Sequence, residues 1–295
     1  MTHAHAPSTA RRLQRWSRTT HGTGLAGLVW LLVSRFALLF GVLQFYSWFR
    51  KTFFQRPAEV AFAHALDIID LQHRLGIAVT DVEIPLQRWV IEHEPLIDVF
   101  NAYYRQFKPA LYVCAALCLL LAPVAFRRIL RIFLLATLIA FPWYALYPLA
   151  PPRLMEPYGY PFVDTLAVFA GVQSSASGAG GANQFAAMPS MHIGWTAIAA
   201  LWLAAAFHGR RVGAILGALH LLLMAITVIV TGNHYVLDIV GGLLVAGGAV
   251  VLERVLSARL RLPHRPAPRL RRLARGRTAT PGTPDPGLPR DDPAI

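Results

Sequence analysis

The sequence predicts an all-α integral membrane protein, built as a bundle of six transmembrane helices. Hydrophobic residues make up 55% of the 295 residues and only 15% are charged, well below the roughly 25% of an ordinary soluble domain. The charges are also segregated, and long windows of the chain carry none. A window of about 20 apolar residues can cross a bilayer as a helix. Helices are the expected form because each satisfies its own backbone hydrogen bonds in lipid.

Six apolar stretches are the predicted spans, and they cover Leu25–Tyr46, Ala110–Phe126, Ile129–Leu149, Ser190–Phe207, Val212–Val230 and Tyr235–Leu256. The first stretch is too long for a signal sequence and is not followed by a small-residue cleavage site, so we expect it to be retained. It contains Arg35 near its middle. An arginine at this depth either has a functional role or snorkels or pairs with a neighbouring helix, and the sequence does not choose between these.

The segment between the first and second spans has a different composition. Residues 50–108 hold seven basic and eight acidic residues mixed with apolar ones, so this segment is not expected to span the membrane. We predict two amphipathic helices here, lying at the interface or capping the bundle. The second covers Val82–Tyr104. The first ends at Gly76 and has an apolar face made of Val60, Ala63, Ile68, Leu71 and Leu75.

Basic residues cluster near the two ends of the chain. Of the 28 Lys and Arg residues, four lie in Arg11–Arg18 and ten in Arg254–Arg290. Together with the basic connections at 127–128 and 209–211, these clusters predict cytoplasmic termini by the positive-inside rule. The net charge of +13 is then explained by topology and anionic lipid, and no nucleic-acid partner is expected.

The chain is predicted to have three parts. Residues 1–22 are expected to be a disordered basic cytoplasmic N-terminus, residues 23–257 a six-helix membrane domain, and residues 258–295 a disordered cytoplasmic tail rich in Pro and Arg. A Ser/Gly/Ala-rich stretch at 174–181 is expected to be mobile. Cys114 and Cys118 lie one helical turn apart in an apolar stretch, and we interpret them as packing residues.

Two histidines lie at the starts of apolar stretches whose starts face the same side of the membrane. His234 and Asp238 are four residues apart, so they share one helical face and the carboxylate can hold an imidazole N–H. Such a contact fixes the tautomer, leaves the other ring nitrogen free to attack, and stabilises an imidazolium. His192 follows Pro189, a residue that suits the first turn of a helix. The alternative is that each histidine makes only a structural hydrogen bond.

Arg153 follows the third span at the same face. Its planar, forked donors suit a phosphate, although an interfacial anchor is an equal alternative. The helix N-termini near Ser190 and His234 add N–H groups that favour anions. This set of groups fits transfer of a phosphoryl group through a histidine. The carboxylates that magnesium needs are lacking. Two histidines and Asp238 could in principle hold zinc, but the anion-binding surroundings favour a site without metal or cofactor.

These residues carry a resemblance to a known family. Pro189-Ser190-Met191-His192 and His234-x-x-x-Asp238 resemble two motifs of the type-2 phosphatidic acid phosphatase superfamily, and Tyr147–Arg153 lies where that superfamily has its first, phosphate-binding motif. The chain is most similar to the inositolphosphotransferase branch, which includes inositol phosphorylceramide synthases. This likeness rests on Pro-Pro-Arg, on Thr-Gly-Asn-His-Tyr, and on an upstream pattern of Leu75, Gly76, Glu83, Gln87, Asn101 and Tyr104.

The resemblance implies a role for each residue of the histidine pair. His234 would be the nucleophile and form a phosphohistidine, and Asp238 would orient it. His192 would protonate the leaving group and then act as the base for the acceptor. The 23–257 domain is therefore expected to be catalytic.

The resemblance also implies how phosphate is bound. Arg153 would bind it, with Ser190 and Asn233 as further phosphate-binding candidates. Two cations of the broad superfamily are absent here, because Leu146 stands where the lysine is expected and Val228 where the arginine is expected. The candidates to replace them are Asn233, Lys108, Arg105 and Arg35.

The expected function is that of a metal-independent, multi-pass membrane enzyme that cleaves or transfers a phosphate-linked group at the extracytoplasmic face. Its expected partners are the bilayer and a lipid phosphate or phospholipid substrate. Water as the acceptor would make it a phosphatase, whereas a lipid or polyol hydroxyl would make it a phosphotransferase, which the branch resemblance favours. The alternatives are a polyprenyl-phosphate or pyrophosphate phosphatase and, less expected, a transporter with a proton relay.

Overall fold

The computed structural model describes residues 25–53, 57–171 and 184–260. In these residues all regular structure is helical, apart from one isolated parallel bridge between Leu149 and Ala186, and the predicted all-α class is confirmed. Two short 3-10 turns, Pro152–Leu154 and Glu156–Tyr158, follow the sixth helix. The α-helices are α1 (Leu25–Phe53), α2 (Ala58–Arg74), α3 (Glu83–Ile91), α4 (Glu94–Arg105), α5 (Phe107–Leu121), α6 (Pro123–Leu146), α7 (Thr165–Val168), α8 (Met191–Ala206), α9 (Arg211–Val230) and α10 (Val236–Arg259).

Several of these helices have the composition of membrane spans. By length and hydropathy α6, α9 and α10 are each able to cross a membrane, and three shorter apolar stretches accompany them: α5, α8 and Val33–Phe49 within α1. Each of the six predicted spans therefore coincides with an apolar helix. Three of the six meet the requirement for a full span by themselves.

The sequence prediction places the boundary between its second and third spans too late. Helix α5 ends at Leu121 and α6 begins at Pro123, because proline cannot continue a helix but suits its first turn. Arg127 and Arg128 therefore lie inside the start of α6 and not in a connection. At its other end α6 stops at Leu146, shortly before Pro148.

Helix α8 is the centre of the bundle. It packs against α5, α6, α9 and α10, and most of its side chains are buried. Trp202 is fully buried and its ring stacks with Phe126 and Phe133 of α6. The approach to α9 is close, because Gly217 of α9 lies against Ala200. A helix that is apolar all round is expected to lie in such a position, and this position fixes where the first residues of α8 emerge.

Helices α2 to α4 cover the end of the bundle at which α6 and α9 finish and α8 and α10 begin. Three helices stand where the sequence predicts two. The predicted Val82–Tyr104 helix is interrupted at Glu92–His93 and restarts with Pro95 near the beginning of α4. Of the predicted apolar face of α2, only Ile68 packs against the bundle. The residues of α2 that are buried are Ala61, Ala65, Ile68, Ile69 and Gln72, whereas Val60, Ala63, Leu71 and the following Leu75 are exposed.

The opposite end of the bundle is held by a buried carboxylate. Glu253, near the end of α10, is 1% exposed. It accepts hydrogen bonds from Arg128 Nε at 2.8 Å, from Arg131 at 2.7 Å and from the Ser257 hydroxyl at 2.8 Å. These contacts join α6 to α10. Since Asp238 and Glu253 are fifteen residues apart on one helix, they lie about 22 Å from each other along its axis.

Arg35 lies on the face of α1 that packs on the bundle. Leu39, Leu43 and Tyr46 follow it at helical spacing and are buried, and Arg35 itself is half-buried. Its Nε has no hydrogen-bond partner among the described residues. Tyr46 contacts Tyr144 near the covered end of the bundle, and eleven residues of helix separate Arg35 from it by about 16 Å.

Three predictions fall largely outside the described residues. They are the disordered N-terminus at 1–22, the mobile stretch at 174–181 and the tail at 258–295. Of the tail, the structure describes only residues 258–260, which include the end of α10 at Arg259. Cys114 and Cys118 are described, and both are free and buried, as predicted for packing residues.

Candidate active site

Three side chains form a hydrogen-bonded series at the covered end of the bundle. Nδ1 of His234 lies 3.3 Å from Oδ2 of Asp238, and Nε2 of His234 lies 3.3 Å from Nδ1 of His192. Asp238 is fully buried and His234 is 6% exposed. The two histidines come from different helical segments, 42 residues apart, and the bundle brings them together as the sequence predicts.

The turn before α10 sets the position of His234. Gly232 has a φ of +68°, a left-handed conformation that costs glycine little. Its α-carbon is also enclosed, since an added Cβ would lie 2.9 Å from the Val163 carbonyl oxygen. After this turn, the backbone N–H groups of Asn233 and His234 both donate to the Val228 carbonyl, at 3.0 and 3.1 Å. The chain then enters α10, where Oδ2 of Asp238 accepts the Tyr235 N–H at 2.9 Å.

His192 lies in the first turn of α8. Ser190 is the N-cap of that helix, and its hydroxyl oxygen faces the Ile193 N–H at 3.5 Å. The imidazole of His192 contacts two aromatic rings, with centroids 4.6 Å from Tyr104 and 4.6 Å from Phe107. These rings come from the junction of α4 and α5, so the covering helices contact His192 directly.

Backbone contact between α8 and α10 determines the distance between the histidines. The Ser190 N–H donates to the Asp238 carbonyl at 3.1 Å. One turn further along α10, Gly242 lies directly against the Ser190 carbonyl and close to Ile193 and Gly194. A side chain at Gly242 would therefore push the two helix starts apart.

Arg153 lies beside the turn that carries His234. Its backbone N–H donates to the Gly232 carbonyl at 2.8 Å, and its Nη1 donates to Oδ1 of Asn233 at 2.8 Å. Its Nε forms an ion pair with Oδ2 of Asp164 at 3.2 Å. Asp164 also caps α7, since its Oδ1 accepts the Ala167 N–H at 3.1 Å. The guanidinium is thus held by two neighbours next to the histidine pair.

The other two predicted phosphate-binding residues are both buried. Ser190 is fully buried as the cap of α8, and Asn233 is 6% exposed. The amide nitrogen of Asn233 donates to the Thr231 hydroxyl at 2.9 Å, which turns its oxygen toward Arg153. In this arrangement Asn233 contacts the cation and Ser190 supports the helix start.

Sequence reasoning did not anticipate the polar contacts made by α2 and α3. Gln72 and Glu83 both bond to the first residues of α10. Gln87 donates to the Val163 carbonyl at 3.0 Å and the Val230 carbonyl at 3.1 Å, beside the Gly232 turn. The upstream pattern of the resemblance includes Glu83 and Gln87 but not Gln72, and no local pattern shows which residues they contact.

The two positions where the broad superfamily has cations are not part of the site. Leu146 is 78% exposed at the end of α6. Val228 is fully buried in α9, and its carbonyl accepts the two N–H groups of the histidine turn. A charged side chain at position 228 would have to enter the core.

The order of the contacts determines what the site can do. With an ionised Asp238, Nδ1 of His234 carries the proton that is donated, and Nε2 holds a lone pair directed at His192. The two nitrogens of His234 therefore face different partners, so the three side chains form a linear series and do not surround one point. Such a series can supply a nucleophile and a proton donor at adjacent positions.

We predict that Gly242→Ala lowers turnover of a phosphorylated lipid about tenfold or more, because small misplacements of reacting groups have large effects on rate. The added methyl would separate Ser190 from α10 and move His192 away from His234. Gly247→Ala is the matched control, since it lies on the same helix with no atom within 4 Å of its added Cβ. Equal turnover by the two variants would contradict this account of the contact.

Comparisons with known proteins identify the family of the chain. A family model of the PAP2 superfamily matches residues 66–252, which include every residue of the histidine series and Arg153. The phosphoinositol dihydroceramide synthase of Bacteroides thetaiotaomicron is 26% identical over 184 residues, which are 57% of this chain and 58% of that protein. No solved structure matches. The chain belongs to the PAP2 superfamily.

Proposed function

We propose that this protein is a metal-independent lipid phosphotransferase that works through a phosphohistidine at the extracytoplasmic face of the membrane. The observation that carries the proposal is the linear contact of Asp238, His234 and His192, at 3.3 Å for each pair of atoms. A carboxylate that holds one imidazole nitrogen leaves the other as a nucleophile, and the second imidazole stands beside it.

The first step transfers the phosphoryl group, together with the head group esterified to it, to the enzyme. Nε2 of His234 attacks phosphorus, the bond from phosphorus to the leaving oxygen breaks, and His192 gives that oxygen a proton. Asp238 stabilises the positive charge that develops on the His234 ring. In the second step, neutral His192 takes the proton of the acceptor hydroxyl, whose oxygen attacks phosphorus. The N–P bond then breaks and His234 is restored.

Arg153 is the proposed ligand of the phosphate oxygens. Asn233 and Asp164 fix its guanidinium from two sides, and a guanidinium held in this way presents its remaining donors in a defined plane. The starts of α8 and α10 lie at the same place and add the positive ends of their helix dipoles. We assign Ser190 and Asn233 to this phosphate site as residues that act through the α8 N-terminus and through Arg153.

Lys108 is the proposed second cation. It directly follows Phe107 and stands four residues after Tyr104, the two residues whose rings flank His192. Because α4 ends at Arg105 and α5 begins at Phe107, Lys108 lies in the first turn of α5 directly after Phe107, and it is exposed. Arg105 is also exposed but stands one residue from Tyr104, on another face. Arg35 is too far along α1 to reach the site.

The distribution of arginines supports a cytoplasmic location for the end of the bundle opposite the site. Seven arginines lie toward that end: Arg127, Arg128, Arg131, Arg210, Arg211, Arg254 and Arg259. By the positive-inside rule this end faces the cytoplasm. If α1, α5, α6, α8, α9 and α10 all span, as we propose, the chain has six spans and the site is extracytoplasmic.

We prefer transfer to a hydroxyl over hydrolysis because the relative described above is named a synthase, a phosphoinositol dihydroceramide synthase. Its likeness to this chain covers 58% of its length. The histidine series itself serves water and an alcohol equally. The experiment described next therefore determines whether water or a hydroxyl compound is the acceptor.

The test of the proposed function uses purified protein in detergent with EDTA. It is given labelled phospholipids, with and without a lipid alcohol, and a polyprenyl pyrophosphate. We expect a phosphodiester product, and a loss of about 1000-fold or more in His192→Ala and in His234→Ala. His208→Ala, at the other end of α8, should remain active. Only the variants that keep His234 should form an acid-labile phosphoprotein.

Other outcomes would contradict particular parts of the proposal. Full activity in His234→Ala would exclude the phosphohistidine step. Strict dependence on an added metal ion would exclude metal-independent transfer. Release of inorganic phosphate as the sole product would identify a phosphatase, and a polyprenyl pyrophosphate as the preferred substrate would assign the alternative substrate class. Substrate movement across vesicles without any turnover would indicate a transporter.

We predict that the two ends of the bundle react differently with a membrane-impermeant maleimide. Glu156→Cys, exposed near the site, should be labelled in intact cells. Arg210→Cys, exposed at the opposite end, should be labelled only after permeabilisation. The native cysteines are buried and provide the background. The reverse labelling pattern would place the site on the cytoplasmic side.

We predict that Lys108→Met lowers kcat/KM about tenfold or more, because hydrogen bonds to charged groups contribute more than neutral ones. Arg105→Met removes the same charge three residues earlier and should change kcat/KM by no more than about twofold. Lys108→Arg should restore part of the loss. Equal effects of the two methionine variants would argue for a general charge effect and against a specific contact.

A further inference from the structure

Two buried polar side chains from the covering helices hold the start of α10. Gln72 of α2 and Glu83 of α3 are both fully buried. Oε1 of Glu83 accepts the Val236 N–H at 3.1 Å, and Oε1 of Gln72 accepts the Leu237 N–H at 3.1 Å. The amide nitrogen of Gln72 also donates to Oε1 of Glu83, at 2.5 Å. The two side chains therefore act as one unit that faces the helix start.

These bonds provide acceptors for backbone N–H groups at the start of α10. The first N–H groups of a helix have no partner within it. Here the Tyr235 N–H is taken by Asp238, and the next two are taken by Glu83 and Gln72. The partners of Val236 and Leu237 are 153 and 165 residues away in the chain. The covering layer therefore fixes the same turn that carries Asp238 and follows His234.

We propose that Gln72 and Glu83 are positioning residues for phosphoryl transfer, which hold the first turn of α10 so that Asp238 and His234 keep their geometry. The proposal rests on the proposed role of His234 as nucleophile. Both residues act on the backbone N–H groups of the helix start. Loss of either would leave a buried backbone N–H unpaired and let the turn move, which changes the contact between His234 and His192.

The geometry allows the hydrogen-bonding role of Glu83 to be separated from its charge. Both known bonds of Glu83 end on Oε1, while Oε2 has no hydrogen-bond partner among the residues described. Glu83→Gln can therefore keep the acceptor and exchange an oxygen that makes no bond. Glu83→Leu has a similar volume and removes the acceptor altogether.

Glu253 provides the matched control. It is a buried glutamate on α10 itself, it accepts three side-chain hydrogen bonds, and it lies at the end of the helix away from the histidines. Glu253→Leu should lower the melting temperature of the bundle without altering the first turn of α10. Comparison of the two leucine variants therefore separates a loss of stability from a loss of position.

The experiment measures kcat, KM and the rate of phosphoenzyme formation in the full-length protein, together with its melting temperature in detergent. We expect Glu83→Leu and Gln72→Leu to lower kcat and phosphoenzyme formation about 10- to 100-fold, with KM changed less than about threefold. Glu83→Gln should stay within about threefold of the native kcat. The double leucine variant should be little worse than either single variant, because the two residues act as a unit.

Two outcomes would overturn the proposal. In one, Glu83→Leu resembles Glu253→Leu, with a lower melting temperature and an unchanged kcat for the folded protein. In the other, Glu83→Gln is as inactive as Glu83→Leu, which would show that the charge is needed and not the acceptor. Activity retained in His234→Ala would instead refute the proposed function. The two failures are therefore distinguishable.

Discussion

The close approach of α8 and α10 is the constraint on which the site depends. Gly242 allows the α10 backbone to lie against the Ser190 carbonyl, and the Ser190 N–H reaches the Asp238 carbonyl at 3.1 Å. This contact is made between main chains, so it leaves little freedom for one helix start to move relative to the other. Because close-packed interiors accept few changes of volume, the residues on both starts are held at a fixed separation.

The covering layer of α2 to α4 supplies contacts for polar groups at the helix starts of the bundle. Apolar helices can bury one another, but helix starts at a membrane surface leave polar groups that need partners. Side chains from this layer provide them: Glu83 and Gln72 at α10, Gln87 at the turn before it, and Tyr104 beside His192. The layer is thus a structural part of the site, although it contributes none of the three residues in the histidine series.

The parts of the site that were predictable follow from short-range rules. The motif spacing predicts that Asp238 lies beside His234, and the two are in contact although His234 precedes α10 and they do not share a helical face. Pro189 was expected in the first turn of α8, but it precedes the N-cap Ser190 of the helix that carries His192. The buried face of α2 was not predictable in this way. Apolar side chains in a membrane protein can face lipid as well as the core, so Val60 and Leu71 resemble core residues in sequence but are exposed. The pairing of Glu83 with α10 joins residues 153 positions apart, and no local pattern encodes that.

The contact between the two histidines has a consequence for substrate entry. In-line transfer would need room for a phosphorus atom and its leaving oxygen between the two nitrogens, a separation of about 7 Å. Those nitrogens are 3.3 Å apart, so the mechanism we propose requires the two imidazole rings to separate when a phosphate binds. Since the rings of Tyr104 and Phe107 both contact the His192 ring, these aromatic side chains limit the directions in which that ring can turn.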